Sequence, residues 1–508
     1  MKHFTKLLSV FLVLLLLATC LIACGGKTEE TETETQIETE NETVDSVKRD
    51  EYGREWIDDS IPADLSYATA DKNTVTFFVR MGGEGATEIE MDSDAIIEDT
   101  VNDAIYFRNT TVEERLGVVI TRIAQECVYT DVTPWMQTLR NAVNTNSGDF
   151  DGAAIYASQG SPLALEGCYY NVLSMDTLDL AKPWWNRDMI SELELFDTLY
   201  FLGGDLMITQ TQQAGAMLYN KTLFEKYYPD VDIYSLVTDY QWTIDKLYEL
   251  SSTVWEDTNT SGMIDDGDTV GYTGFGSGHG YNDIWQAAVG VRIITKNSDG
   301  IPELSLYSEH AINAFEKLAK LHLENPGCMA TGGSTTNTTF NLENVLFSIT
   351  ALYNCESLRD MTSPYGALPL PMFDEDQGYY ATYPHNGCSL LTVLSSIEAE
   401  RVDMIGHTIE LMAAESYRQV MPKYFEVCLK SKYSADASDA MMFDIIVESI
   451  RFDYGLVFGT KSIGGVNILF RDYSADFAQK YESNRTTYET ALEKLIDKLD
   501  ELSFNMGA

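Results

Sequence analysis

Residues 74–156 alternate between three β-forming runs and two helical patterns, and this alternation restricts the fold more than any other feature of the chain. The runs are Thr74–Val79, Gly117–Thr121 and Ala153–Tyr156. Apolar residues at helical spacing fill the two gaps, namely Ile97, Val101, Ala104 and Ile105, then Met136, Leu139 and Val143. Strands that alternate with helices at this spacing predict parallel βαβ units and an α/β fold. Ligands of such sheets bind beyond the carboxyl ends of the strands, here at 80–85 and 157–160.

Charge and glycine spacing exclude two functions that α/β folds often serve. The chain has 34 Lys and Arg against 79 Asp and Glu, a net charge of −45, and this field repels the phosphates of nucleic acids. A dinucleotide site needs G-x-G-x-x-G after a strand, but Gly83 and Gly85 are followed by Glu88 where the third glycine belongs. The segment GFGSGHG at 274–280 also lacks that pattern.

The N-terminus indicates export. Lys2 and Lys6 precede the apolar run Leu7–Ile22, and this order is typical of a secretory signal peptide. Leu21-Ile22-Ala23-Cys24 resembles the lipobox of bacterial lipoproteins, which implies cleavage before Cys24 and lipid attachment to its thiol. We therefore expect a signal peptide over 1–23 and a protein anchored by lipid on the outer face of the cytoplasmic membrane. An uncleaved membrane anchor is the alternative.

Residues 24–50 predict a tether. Threonine and glutamate alternate over 27–46, which has too few apolar residues to form a core. Charge repulsion should extend this segment and hold the body of the protein away from the membrane.

Six cysteines remain beyond the signal region, and their spacing shows no zinc motif. They are widely scattered, without a C-x-x-C pair, and we expect no essential disulfide. These residues are Cys127, Cys168, Cys328, Cys355, Cys388 and Cys428.

An EF-hand-like spacing occurs at 257–268. Oxygen-bearing side chains occupy loop positions 1, 3, 5, 9 and 12, with Gly262 at position 6, which predicts a structural Ca²⁺ remote from any solute. Position 12 is an aspartate where the pattern prefers glutamate, and an acidic solvated turn is the alternative. The predicted ligands are Asp257, Asn259, Ser261, Met263 through its carbonyl, Asp265 and Asp268.

Several segments, in order, resemble bacterial extracellular solute-binding proteins of ABC importers, of the sugar- and oligosaccharide-binding type. The segments are VEERLGVVI (112–120), GDFDGAAIY (148–156), LYFLGGD (199–205) with AMLYNKTLFEKY (216–227), WTIDKLYELS (242–251), YGALPLPMFDEDQGYY (365–380) and AAESYRQVMPKYFE (413–426). The resemblance extends from about residue 70 to the C-terminus.

This resemblance implies a periplasmic-binding-protein-like fold of two lobes, joined by hinge strands and closing on a solute in the cleft between them. The implied boundaries are 51–209 with 376–430 for lobe 1 and 210–375 with 431–508 for lobe 2. It also implies a monomer that works with ABC permease subunits.

Neutral sugars bind through aromatic faces and planar polar side chains, and the loops of both lobes offer such residues. Packing in the core is the alternative for each of them, and Trp184 and Trp185 are interpreted as structural. The candidates are Arg80, Glu84, Tyr156, Ser158 and Gln159 in the first lobe, and Tyr281, Asn282, Trp285, Tyr353, Asn354 and Glu356 in the second.

Catalysis finds little support in the sequence. The nucleophile motif G-x-S-x-G and the zinc motif H-E-x-x-H are both absent, and the six histidines form no ligand-like pair. The sequence therefore predicts a receptor, not an enzyme, with an oligosaccharide as solute. A secreted carbohydrate-active hydrolase, or the same fold with a peptide or amino-acid-derived ligand, remains the alternative.

Overall fold

The structure is a computed structural model that describes residues 48–49, 55–82, 88–93, 96–128, 132–265, 267–331, 340, 343–358, 361–385, 387–425 and 437–506. Cys24, Glu84, Cys428 and the side chain of Glu356 lie outside the described residues. Residues 57–508 form one compact unit, which contains both sheets described below.

The first sheet has four strands in the order β12-β3-β1-β2. Strands β1 (Thr74–Met81), β2 (Val119–Glu126) and β3 (Gly152–Tyr156) are parallel, as the βαβ pattern predicts, while β12 (Ser389–Val393) runs antiparallel to β3. Both faces are covered, since Phe77 and Phe78 are buried on opposite sides of β1. The ring of Phe78 stacks on Trp135 at 4.6 Å between centroids.

Two boundaries in this sheet differ from the sequence-based expectation. Ile97 precedes its helix and is 64% exposed, because Asp99 caps the helix by accepting a hydrogen bond from the Asn102 backbone N–H. Gly117 ends the same helix with a left-handed φ of 65°, so the strand begins at Val119. A Cβ atom at Gly117 would lie 2.7 Å from Ala68 Cβ, so packing as well as φ requires glycine there.

Helices surround the sheets. They are α1 Glu88–Met91, α2 Thr100–Leu116, α3 Val132–Thr145, α4 Ser161–Leu165, α5 Arg187–Leu193, α6 Ile208–Gln212, α7 Lys221–Tyr227, α8 Ile233–Thr238, α9 Ile244–Ser252, α10 Ile284–Ala288, α11 Glu309–Ala319, α12 Val402–Glu415, α13 Met421–Phe425, α14 Ala437–Glu448, α15 Tyr454–Ser462 and α16 Phe477–Met506.

The second sheet has six strands, ordered β11-β4-β10-β6-β5 with β9 also paired to β6. Strands β6, β9 and β10 are parallel, and β4 runs antiparallel between β10 and β11. A separate hairpin joins β7 and β8. The bounds are β4 Gly215–Asn220, β5 Trp255–Glu256, β6 Thr269–Phe275, β7 Ile294–Lys296, β8 Pro302–Leu304, β9 Cys328–Thr331, β10 Val345–Ala351 and β11 Tyr365–Leu368.

Two segments connect the sheets, and we call them the first connecting segment (202–214), which contains helix α6, and the second connecting segment (381–388). The first segment lies beside the second and beside β12, since Ala214 bridges to Pro384 and Leu202 bridges to Leu391. The second segment also pairs with a third stretch through a bridge between Thr382 and Ile450. Each sheet with its helices therefore forms one lobe. The exact lobe boundaries stay a prediction.

The C-terminal helices pack on both lobes. Helix α16 contacts α4, which follows β3 of the first sheet, and also contacts β8 and α11. Its apolar stripe is buried as its spacing predicts, at Tyr488, Leu492, Leu495 and Leu499.

Cys168, Cys328 and Cys388 are free thiols, and Cys127 and Cys355 are buried. No helix among the described residues is long and apolar enough to cross a membrane.

Candidate functional site

The first lobe places Arg80, Tyr156 and Ser389 at one edge of its sheet. Arg80 lies near the carboxyl end of β1, and Tyr156 ends the neighbouring parallel strand β3, opposite Ser389 of β12. The guanidinium of Arg80 lies 4.3 Å from the Tyr156 ring centroid. Its Nη2 donates to Gly387 O at 3.0 Å and to Ser389 Oγ at 2.9 Å. Two of the predicted residues thus meet in one cation–π contact.

Ser158 and Gln159 follow β3 in a tight turn, where the Gln159 backbone N–H donates to Tyr156 O. Both side chains are buried, and the Gln159 amide donates to Ser158 Oγ at 3.3 Å. The structure brings them next to Tyr156.

The second lobe places Tyr281, Tyr353 and Gln213 at the corresponding edge of its sheet. They follow β6, follow β10 and precede β4, whose ends meet there because β4 runs antiparallel to β10. The hydroxyls of Tyr281 and Tyr353 are 2.9 Å apart, and Tyr281 Oη donates to Gln213 Oε1 at 3.4 Å. Gln213 Nε2 is buried and has no hydrogen-bond partner among the described residues.

The second connecting segment joins these two groups through His385. Its imidazole stacks on the Tyr281 ring with centroids 3.8 Å apart and an interplanar angle of 6°. The His385 backbone N–H donates to Gln213 O, and His385 Nδ1 accepts from the backbone N–H of Gly387. Gly387 is also the acceptor of Arg80, so a continuous polar and aromatic path runs from the first lobe to the second. We call this set, Arg80, Tyr156, Gln213, Tyr281, Tyr353 and His385, the interlobe site.

A buried ion pair lies behind the interlobe site. Arg471 Nε donates to Asp283 Oδ1 at 2.5 Å, and both residues are buried. Burial, the positive charge of Arg471 and the neighbouring His279 lower the pKa of His385 to about 3. Burial and Arg471 also lower the pKa of His279. Both histidines are therefore neutral at physiological pH.

Each arginine near the site interacts electrostatically with a carboxyl group. Arg471 is paired with Asp283, while the positive charge of Arg80 acts on Glu90, where it partly offsets the burial that raises the pKa of that carboxyl group. Neutral aromatic, amide and imidazole groups make up the rest of the site. Such a set can bind an uncharged polar molecule by ring contacts and hydrogen bonds.

The other predicted side chains of the second lobe have local roles. Asn282 donates to Gly276 O and Arg471 O, each at 3.1 Å, and thereby holds the loop after β6. Trp285 has no exposed surface and meets His322 edge to face at 5.9 Å. Asn354 donates to Thr350 Oγ1 at 2.9 Å. Solute contact by these residues stays a prediction, as it does for Glu84 and Glu356.

Trp184 and Trp185 are buried, which agrees with their structural interpretation. The two indole N–H groups donate to different oxygens of Glu410, each at 3.0 Å. Burial raises the pKa of Glu410 to about 7, although the hydrogen bonds from Trp185, the Asp179 backbone and Trp184 lower it.

In the EF-hand-like loop, hydrogen bonds to the carboxylate side chains curl the backbone. Asp257 accepts from the backbone N–H groups of Ser261 and Gly262, and Asn259 Nδ2 donates to both oxygens of Asp265. The carboxylate of Asp268 accepts from Trp255 and from the Thr258 backbone. Within the described part of the chain, no group of three or more His, Cys, Asp and Glu side chains is placed to hold a metal ion.

Sequence reasoning missed Gln213, His385 and the Asp283–Arg471 pair. Gln213 and His385 lie in the connecting segments, and Arg471 lies in the C-terminal region. Local sequence patterns do not show which strands these regions contact. One available signal was that His385 is one of only six histidines in the chain.

The chain matches no model of a known protein family and no curated protein. Among solved structures it is similar to a cyclo/maltodextrin-binding protein complexed with maltotetraose, with a TM-score of 0.50 and 12% identity over 85% of this chain and 97% of that one. Its fold is that of a periplasmic binding protein. The predicted fold class, α/β with two lobes around a cleft, is confirmed.

Two further solved structures are similar to this chain. The maltose-maltodextrin binding protein of Alicyclobacillus acidocaldarius has a TM-score of 0.49 and 14% identity, over 84% of this chain and 99% of that one. The ABC substrate-binding protein from Listeria monocytogenes in complex with cycloalternan has a TM-score of 0.48 and 13% identity, over 86% and 100%.

Proposed function

We propose that this periplasmic binding protein is a membrane-anchored extracellular receptor that closes on an oligosaccharide and delivers it to an ABC importer. The observation that carries the proposal is the interlobe site, to which both lobes and the second connecting segment contribute. A solute that contacts all three would favour the closed arrangement, and such closure is the known way in which this fold binds.

The chemistry of the interlobe site supports a neutral solute. The tyrosine rings and imidazole offer flat apolar surfaces, and Gln213 Nε2 is a buried donor in need of an acceptor. Arg471 is paired with the buried carboxylate of Asp283, which lessens its attraction for an anionic ligand. The cyclo/maltodextrin-binding protein of the same fold is complexed with maltotetraose, a neutral oligosaccharide.

Binding without catalysis is part of the proposal. His385 is held neutral in a ring stack, and its Nδ1 already accepts a backbone hydrogen bond. We expect the interlobe site to bind saccharide and to release it chemically unchanged.

Anchoring rests on the sequence. We infer that Cys24 carries the lipid and that residues 24–50 tether the receptor beside its permease on the outer face of the membrane. Labelling with a radioactive fatty acid should be lost in Cys24→Ala and retained in Cys20→Ala.

We also infer that the 257–268 loop binds a structural Ca²⁺. Its side chains offer oxygen ligands at the required spacing, and the hydrogen bonds of Asp257 already curl the loop around its centre. Binding requires the Asn259 amide to turn, so that its oxygen replaces the N–H groups now bonded to Asp265. The ion would supply stability to the start of β6.

A thermal-shift screen against neutral oligosaccharides, peptides and amino acids tests the main proposal. A ligand at 100 times its dissociation constant stabilises by about 2.7 kcal/mol, which is readily measured. We expect a saccharide to raise the melting temperature and to be recovered intact by chromatography. Cleaved saccharide would show a hydrolase instead, and stabilisation by peptides alone would refute the sugar assignment.

A further inference from the structure

A surface cavity lies beside the start of the second connecting segment. It has a volume of about 340 Å³ and is lined by the end of α8, by Tyr379 and Tyr380, and by the end of α14. This volume lies within the range of small-molecule pockets. We call it the tyrosine pocket, and it contains none of the residues of the interlobe site.

Aromatic rings form much of its wall. Tyr240 and Tyr380 stack with centroids 5.8 Å apart and an interplanar angle of 15°. Tyr380 is fixed because its hydroxyl donates to Val237 O at 2.9 Å. Tyr240 and Tyr379 are 45% and 48% exposed, so both present large ring surfaces to solvent.

The backbone at Tyr240 is unusual for such a residue. Its φ is 57°, in the left-handed region that ends helix α8, where glycine or asparagine is the ordinary choice. The chain thus holds an aromatic side chain in a strained backbone conformation and leaves nearly half of it exposed. Strained residues of this kind cluster at ligand-binding and other functional sites.

Planar polar groups complete the wall. Arg451 Nη1 donates to Glu448 O at 2.6 Å and to Ile450 O at 3.0 Å, which fixes the guanidinium and leaves its Nη2 without a partner among the described residues. The carboxylate of Glu448 is exposed and makes no ion pair with Arg451 or another described residue. The Thr238 hydroxyl adds a further donor and acceptor at the rim.

We propose that the tyrosine pocket is a second carbohydrate-binding site, which holds a sugar unit of a polysaccharide outside the interlobe site. Tyr240 and Tyr379 provide the flat faces on which the apolar side of a sugar ring packs, and Arg451 and Glu448 are the donor and acceptor for its hydroxyls. This binding site is additional to the proposed solute site, and the two share no residues. Polymer held here would keep the receptor close to the source of its shorter solutes.

Affinity gel electrophoresis tests the inference. The full chain, purified in detergent, carries a net charge of −45 and migrates strongly toward the anode in a native gel. Gels would contain soluble starch, pullulan, dextran, xylan, galactomannan or mixed-linkage β-glucan, and retardation gives the affinity for each polymer.

We expect at least one of these polymers to retard the wild-type protein. Tyr379→Ala and Tyr240→Ala should each weaken the retardation roughly 2- to 10-fold, the effect of losing one ring contact. Tyr379→Phe should keep it, because the ring remains. Phe107→Ala, which removes an exposed ring on α2, is the matched control and should change nothing.

Two outcomes would overturn the inference. One is the absence of retardation by every polymer in the panel. The other is retardation that Tyr240→Ala and Tyr379→Ala leave unchanged but Gln213→Leu removes, since the polymer would then bind in the interlobe site. Solute binding measured separately by calorimetry in the tyrosine-pocket variants distinguishes this failure from failure of the proposed function.

Discussion

Gln213 combines burial with an unused hydrogen-bond donor. It is 1% exposed, and its Nε2 has no partner among the described residues. An unsatisfied buried amide group costs about 1–3 kcal/mol, so this donor lowers the stability of the unliganded protein and is available to a solute.

Gln213→Leu should therefore separate stability from binding. We expect the free energy of unfolding to change little, because removal of the unsatisfied N–H offsets the loss of the hydrogen bond from Tyr281, while solute affinity falls about tenfold through the lost hydrogen bond to the solute. Denaturant titration and calorimetry measure the two quantities. Gln137→Leu, at an exposed position on α3, should leave affinity unchanged, and a Gln213 variant with unchanged affinity would remove the residue from the site.

Glu410 makes stability depend on pH in a predictable direction. Its folded pKa of about 7 exceeds the ordinary value of 4.5, so between these values the folded state retains a proton that the unfolded state releases. Stability due to this group is therefore present at low pH and is lost as pH rises through that window.

Glu410→Gln should remove this dependence. Between pH 4.5 and pH 7 the wild type should lose about 3 kcal/mol relative to the variant, as follows from the pKa shift, and little more above pH 7. Urea titrations at several pH values give the difference. Glu398→Gln alters an exposed carboxylate just before α12 and should track the wild type, whereas parallel curves for Glu410→Gln and wild type would contradict the assignment.

At the scale of elements, the 257–268 loop connects β5 to β6. The carboxylate of Asp268 accepts hydrogen bonds from Trp255 and Thr258, and Asn344 donates to its carbonyl, so the loop is tied to the sheet of the second lobe. An ion bound in this loop would therefore stabilise the edge of that sheet.

Chelation should lower the melting temperature of the wild-type protein, since an ion that binds only the folded state stabilises it by mass action. Asp257→Ala should melt lower and no longer respond to EDTA, and added Ca²⁺ should restore the wild type alone. Asp299→Ala, in the exposed turn of the β7–β8 hairpin, is the control. A wild type that melts identically with and without chelator would end the calcium proposal.

At the scale of the whole molecule, the interlobe site is covered. Arg80, Tyr156, Gln213, Tyr281 and His385 are each at most 5% exposed. A solute cannot reach these groups unless the lobes separate, and the two connecting segments must bend in this motion.

Small-angle scattering should detect this opening. For residues 48–508 we expect the radius of gyration without solute to exceed the value with saturating solute, because the lobes close around it. A peptide that gives no thermal shift is the control. A bound solute that leaves the radius unchanged would contradict hinge closure.

Local spacing in the sequence predicts the βαβ start of the first lobe and the polar residues at the carboxyl ends of β1 and β3. These features can be predicted because each depends on the spacing of residues within a single strand or helix. Their exact limits were set by caps, as Asp99 and Gly117 show.

Which residues form the interlobe site depends on contacts between distant parts of the chain. Gln213 meets Tyr281 across 68 positions and Asp283 meets Arg471 across 188, and neither pair leaves a periodic trace in the sequence. Trp285 lies in helix α10 and has no exposed surface, so its residue type alone does not decide whether it contacts a solute. Local sequence patterns show the periodicity of a single helix or strand. A binding site depends on which separate elements come into contact, and this is determined by packing.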